Sequence, residues 1–187
     1  ILQPTNENPT NVAVDLTAKN ILLTFTSSFE TGTTYQLMID RIADCKGNST
    51  GNISKDIVST ESAAKGDILI NEILFNPKGD GVDFVELYNN SEKYIEPSLF
   101  FFKYTSTSGT IITKKIVINE IMYPHTYLAL TSDTTKLKSQ YVRTENLREL
   151  PSFISMSNDG GNLSIFDLLG ITIDSVSFSE DQHFELL

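Results

Sequence analysis

Apolar and polar residues alternate along most of this chain in short runs, with a period near two. The clearest stretch is 66–90. There Ile68, Ile70, Ile73 and Phe75 flank the polar pair Asn71-Glu72, and Phe84, Val85, Leu87 and Tyr88 build a second run. Between the runs lies Asn76-Pro77-Lys78-Gly79-Asp80-Gly81. Proline presets φ and removes a ladder donor, and glycines permit positive φ, so the pattern predicts two strands joined by a tight turn. Upstream, alternation predicts strands over 11–16, 20–26 and 33–42, the last with Tyr35, Leu37 and Ile39 on one face. Residues 1–10 read as an irregular lead-in and 44–52 as a polar loop. Downstream, strands are expected over 99–104, 109–119, 127–131, 153–156, 163–167 and 172–178. Asn158-Asp159-Gly160-Gly161-Asn162 is read as the hairpin turn joining 153–156 to 163–167, with 150–153 extended around Pro151. One helix is expected over 132–141, because Asp133 can cap it and Leu137 and Tyr141 fall four apart on one face.

Strands separated by turns in this way predict an all-β chain with a sandwich architecture. The small, polar stretch 56–65 reads as linker, and the composition changes at Gly66. The expected organisation is therefore a partial β unit over 1–58, a linker over 59–65 and a β-sandwich over 66–187. The strand pattern of 68–75 returns at 116–123, Ile-Val-Ile-Asn-Glu-Ile-Met-Tyr. Because the surrounding turns differ, the similarity is read as two strands with similar needs rather than as a duplication.

Composition narrows the function classes. With 14 basic and 24 acidic residues the net charge is −10, which leaves no basic excess to displace counterions from nucleic acid or to dock on anionic lipid. Lys114-Lys115 and Lys136/Lys138 are the only candidate basic patches, and they read as solvated surface. The single cysteine, Cys45, excludes an intrachain disulfide; it sits in a polar loop beside Lys46 as a candidate exposed thiol. Two histidines, His125 and His183, are too few for a Cys/His zinc site. No apolar run approaches the ~20 residues of a membrane-spanning helix. The chain opens on Ile1 rather than Met, so the absence of a signal peptide carries no weight.

The candidate chemistry is sparse. Asp80, Asp83 and Glu86 around Gly81 offer oxygen ligands of the kind Ca²⁺ takes, but without EF-hand spacing, and they serve equally as caps and solvated charges of a hairpin. Asp44 and Asn48 pose the same choice. Neither a catalytic carboxylate pair nor a Ser/His/Asp triad has a supporting sequence context; no G-x-S-x-G elbow accompanies His125 or His183. Phe100-Phe101-Phe102-Lys103-Tyr104 reads as a central strand buried on both faces rather than as a stacking platform. No catalytic, cofactor-binding or metal-binding residue is assigned.

The residues from Leu69 to Ser91, LINEILFNPKGDGVDFVELYNNS, resemble the opening of a lamin tail domain in the form found in large secreted bacterial proteins. Tyr127-Leu128-Ala129-Leu130-Thr131 before an aspartate, the Asn158–Asn162 turn, Ile173-Asp174-Ser175-Val176 and Ser179-Glu180-Asp181-Gln182-His183 match its later landmarks. The resemblance covers about 66–187 and implies an immunoglobulin-like β-sandwich, a further strand beyond Leu187, and a loop insertion at the helix. Residues 20–52 are similar to the C-terminal half of a bacterial Ig-like repeat, through Leu23-Thr24-Phe25, Tyr35-Gln36-Leu37-Met38-Ile39 and Asp44-Cys45-Lys46-Gly47-Asn48. Together these imply a secreted or cell-surface bacterial protein. The expected role is a non-catalytic interaction, adhesion or spacer module, monomeric in form, that presents loops 76–83 and 157–162 to a protein or glycan partner. The alternative is an accessory targeting domain of an exported hydrolase whose catalytic domain lies outside this segment.

Overall fold

The alternating run after Gly66 becomes a pair of antiparallel strands, and the rest of its half of the molecule is built onto them. The computed structural model describes residues 1–15, 17, 20–141 and 145–182. The chain divides into two units, Ile1–Thr60 and Glu61–Leu187.

In the second unit, β6 (Ile68–Leu74) pairs with β7 (Phe84–Asn89), which pairs with β10 (Tyr127–Thr131). A parallel edge strand, β11 (Leu147–Glu149), completes a sheet of order β11-β10-β7-β6. The second sheet has the order β13-β12-β8-β9, from β8 (Phe100–Ser106), β9 (Ile111–Lys115), β12 (Gly160–Asp167) and β13 (Thr172–Ser179). The inner faces meet in one core that includes Ile68, Val85, Leu87, Leu130, Phe102 and Ile165, each at most 1% exposed. Period-two alternation is what allows this, since every second side chain of each strand points into the same layer. The Ile70 N–H, which antiparallel alternation turns away from β7 just before a bulge between Ile70 and Glu72, donates to Asp174 Oδ2 on β13 at 2.7 Å, tying the sheets together.

The expected helix is present as α1 (Thr134–Gln140), capped by Asp133, whose carboxylate accepts the Lys136 N–H at 2.9 Å. Leu137 is buried against Ala129 and Leu147 on the outer face of the first sheet, with Phe84 and Tyr141 around them. This explains why β10 is almost wholly buried: the core covers one face and α1 the other.

Several expectations are corrected. Residues 153–156 do not form a strand, so 158–162 is not a hairpin turn between that stretch and the next; instead β12 begins at Gly160 and pairs with β8 and β13. Ile154 and Met156 are nonetheless buried, which is what gave the segment its strand-like pattern. Residues 150–153 are not simply extended, for Pro151 and Ser152 form a turn after β11, a strand the sequence pattern did not show. The strand expected over 109–119 ends at Lys115, and 116–123, the near-repeat of β6, is irregular apart from a bridge between Met122 and Ile95. Its Ile116 and Met122 are buried without a neighbouring strand to pair the stretch between them. Strand β8 is central, as expected, but not buried on both faces. Phe100, Phe102 and Tyr104 enter the core, whereas Phe101 is half-buried on the outer face and stacks on its cross-strand partner Phe166 at 5.3 Å.

The first unit holds two small sheets. β2 (Asn11–Val14) pairs with β3 (Ile21–Thr24), and β4 (Thr34–Ile39) lies between β1 (Leu2–Gln3) and β5 (Ile53–Val58). β1 lies in the stretch read as an irregular lead-in. β5 runs through residues read partly as linker, because Ser54-Lys55-Asp56 carry no apolar signal and are held extended by pairing with β4. The strand expected over 11–16 ends at Val14 among the described residues; Leu16 lies outside them. Among the described residues of this unit, Leu2 and Tyr35 are the buried apolar ones. An apolar groove of about 990 Å³ lies between its sheets, lined by Val12, Ile21, Leu23, Leu37, Ile39 and Ile53 among others.

Candidate functional site

The outer face of the first sheet is divided in two by α1. One half lies under the helix. Among the described residues the other half stays open, and the alternation of β7 decides what it displays: Val85, Leu87 and Asn89 point into the core, so Glu86 and Tyr88 point out. Register then adds their neighbours. Tyr127 of β10 lies opposite Tyr88, and Glu72 of β6 lies opposite Glu86. The Tyr88 and Tyr127 rings sit 4.7 Å apart with 32° between their planes, and Tyr127 is 46% exposed. At the far side of Tyr88, His125 faces the tyrosine hydroxyl through Nδ1 at 3.4 Å and Glu92 through Nε2 at 2.9 Å. A small cleft of about 250 Å³ adjoins Tyr127, lined by Tyr123, Thr126, Asn146 and the ion-paired Arg148 and Glu120.

The electrostatics of this half-face are one-sided. Glu86 accepts the Asn71 side-chain N–H at 2.8 Å, and among the described residues no lysine or arginine forms an ion pair with Glu72 or Glu86. Partial desolvation, and after it the charge of the facing Glu86, pushes the Glu72 carboxyl above its usual range.

The three carboxylates weighed as Ca²⁺ ligands do not converge. Asp80 lies beside the Lys136 ammonium at 3.7 Å, and Glu86 is on the outer face. Asp83 points the other way: its carboxylate accepts the Met156 N–H at 3.0 Å, and its carbonyl accepts the Thr131 hydroxyl at 2.7 Å. Desolvation pushes the Asp83 carboxyl up to about 6 against the lowering effect of the Met156 N–H. Asp83 thus fastens the 153–159 segment to the start of β7, and the solvated capping role considered for it is replaced by a partly buried structural one. Asp44 spends its oxygens inside its own loop, accepting from Lys46 N, Asn48 N and Asn48 Nδ2 at 2.8–2.9 Å, with the Asn48 side chain the largest cause of its lowered pKa. Among the described residues, no group of three or more His, Cys, Asp or Glu side chains is placed to hold a metal ion.

Cys45 is exposed, as its loop setting implied. His183 lies outside the described residues. Lys114 and Lys115 sit on β9, while Lys136 and Lys138 sit on α1, so the two candidate basic patches lie on different elements. Of the two loops expected to be presented, 76–83 is braced by α1, where Gln140 Nε2 donates to the Lys78 carbonyl at 3.0 Å. Loop 157–162 is braced by Tyr104, whose hydroxyl accepts Ser157 N–H at 2.9 Å and donates to the Gly160 carbonyl at 2.6 Å.

Sequence reasoning passed over the paired tyrosines. Tyr88 counted only as part of an apolar run and Tyr127 as part of a strand, because nothing local pairs residues 39 positions apart. Outward alternation in β7 was the available signal for Tyr88; Tyr127 had none. Compared with known families, the chain matches the lamin tail domain model over residues 61–180. No curated protein matches it.

Proposed function

The chain belongs to the lamin tail domain family, and from that membership we propose that it works as a non-catalytic interaction module of an exported bacterial protein, secreted or held at the cell surface. The observation that carries this reading is the open half of the outer sheet face. It sets partly exposed aromatic rings and carboxylates that have no ion-pair partner among the described residues on strands rather than on loops. Aromatic side chains on a fixed backbone bind with small entropic cost, which suits recognition. The acidic balance of the whole chain favours a partner carrying positive charge. The immunoglobulin-like sandwich supports a scaffold role, although fold alone assigns no ligand.

Two measurements test this. Protease treatment of intact cells should degrade the protein without lysis; a chain protected until lysis would sink the surface location, and detection in culture medium would identify the secreted form. On arrays of immobilised proteins and glycans, the Tyr88→Ser/Tyr127→Ser variant should lose the binding shown by the unaltered chain while keeping its Tm. Retained binding would move the interaction away from this face.

A further inference from the structure

We propose that the open half of the outer sheet face binds a cationic side chain of a partner protein, arginine in preference to lysine, stacked on Tyr88 and Tyr127 and neutralising Glu72 and Glu86. This rests on the interaction-module reading and names the chemistry of its site.

Three observations carry it. First, the Tyr88–Tyr127 pair presents ring surface next to solvent, and a cation over a tyrosine face is drawn to the negative face of the ring. Second, Glu72 and Glu86 are direct cross-strand partners, an arrangement in which like charges repel. Among the described residues no lysine or arginine pairs with either carboxylate: Lys93 pairs with Asp67, Lys136 with Asp80 and Arg148 with Glu120. The neutral Asn71 amide donates to Glu86. Third, the two pairs are contiguous, since Glu86 and Tyr88 are separated by one residue on the same face of β7. Glu92 contacts His125 Nε2, and His125 Nδ1 faces the Tyr88 hydroxyl. A guanidinium is planar, stacks on aromatic faces and forks to a carboxylate, which matches rings and carboxylates side by side better than a compact ammonium does. A neutral sugar could stack on the rings but would leave the carboxylate repulsion in place.

The test titrates the whole ¹⁵N-labelled chain with short alternating Gly-Arg, Gly-Lys and Gly-Ser peptides and with cello- and chito-oligosaccharides. Gly-Arg is expected to bind saturably, ahead of Gly-Lys, and to shift the amides of Glu72, Glu86, Tyr88 and Tyr127. The Glu72→Gln/Glu86→Gln variant should weaken Gly-Arg binding by about 10-fold or more, equivalent to about 1.4 kcal/mol. Its Tm should equal or exceed that of the unaltered chain, because the repulsion is gone. Tyr88→Phe should bind and Tyr88→Leu should not. Asp159→Asn/Glu180→Gln, which removes the same charge elsewhere, should leave binding unchanged. Equal weakening by both charge variants would overturn the proposal in favour of general attraction to an acidic protein. Oligosaccharide binding on the same amides, insensitive to Glu72→Gln/Glu86→Gln, would overturn it while leaving the interaction-module reading standing. Failure of every probe, with partner binding on the arrays still lost in Tyr88→Ser/Tyr127→Ser, would overturn the cation alone; failure on the arrays as well would remove both.

Discussion

At the scale of single residues, two polar groups flank β7, Asp83 before its start and Asn89 at its end. Asp83 ends the loop before β7 and is partly buried, and its carboxyl is pushed up to about 6. A carboxyl whose folded pKa lies above its unfolded value near 3.8 binds more protons in the native state between those two values. Stability is therefore lost as pH rises from about 4 to 6. Asp83→Asn keeps an oxygen for the Met156 N–H and cannot ionise, so its Tm should exceed that of the unaltered chain at pH 7.5 and converge with it near pH 4. A constant difference across that range would refute the assignment. Asn89 is the opposite case: fully buried, its Nδ2 donates to the carbonyls of Lys93, Met122 and Tyr123, and its Oδ1 accepts from Ser91. Asn89→Asp removes the donor and sets a carboxylate among carbonyl oxygens, so a loss on the order of 3 kcal/mol or more is expected in denaturant unfolding at pH 7.

At the scale of elements, α1 is a small structure with an effect larger than its length. It is anchored by one buried side chain, Leu137, and one cap, Asp133. Leu137→Ala should cost roughly 3 kcal/mol, the usual range for a buried leucine, and Asp133→Ala about 1 kcal/mol. Chemical denaturation of both variants checks the ratio; equal losses would mean that the helix is held by its cap rather than by its packing on Ala129 and Leu147. The helix was legible because cap and spacing are both local. Strand β11 was not, because it is short and its place beside β10 comes from parallel pairing with a strand distant in sequence. Residues 116–123 show the reverse error: a strand-like pattern without a partner to make it a strand.

At the scale of the whole molecule, the two units differ in how much apolar surface they bury. Among the described residues, nearly all buried apolar ones belong to Glu61–Leu187, while Ile1–Thr60 contributes Leu2 and Tyr35 and leaves Val12, Val14 and Leu22 more than half exposed. Burial of apolar area is the main favourable term in folding, so local stability should follow it. Hydrogen exchange on the whole chain should find the amides of β4 and β5 exchanging by a lower-energy opening than those of β7, β8 and β12. Protection of equal magnitude in both units would contradict this.

What the amino-acid sequence alone determined is the all-β character, the main strands of the second unit, the capped helix and the family. These depend on period-two alternation, turn residues and caps, all of which act over a few positions. What only the tertiary structure decided is which strands are neighbours. Cross-strand register placed Tyr127 beside Tyr88 and Glu72 beside Glu86, and the position of α1 left that half of the sheet open. Pairing energies arise between residues far apart in the chain, and no local pattern encodes them. The face proposed for recognition came into view only with the fold.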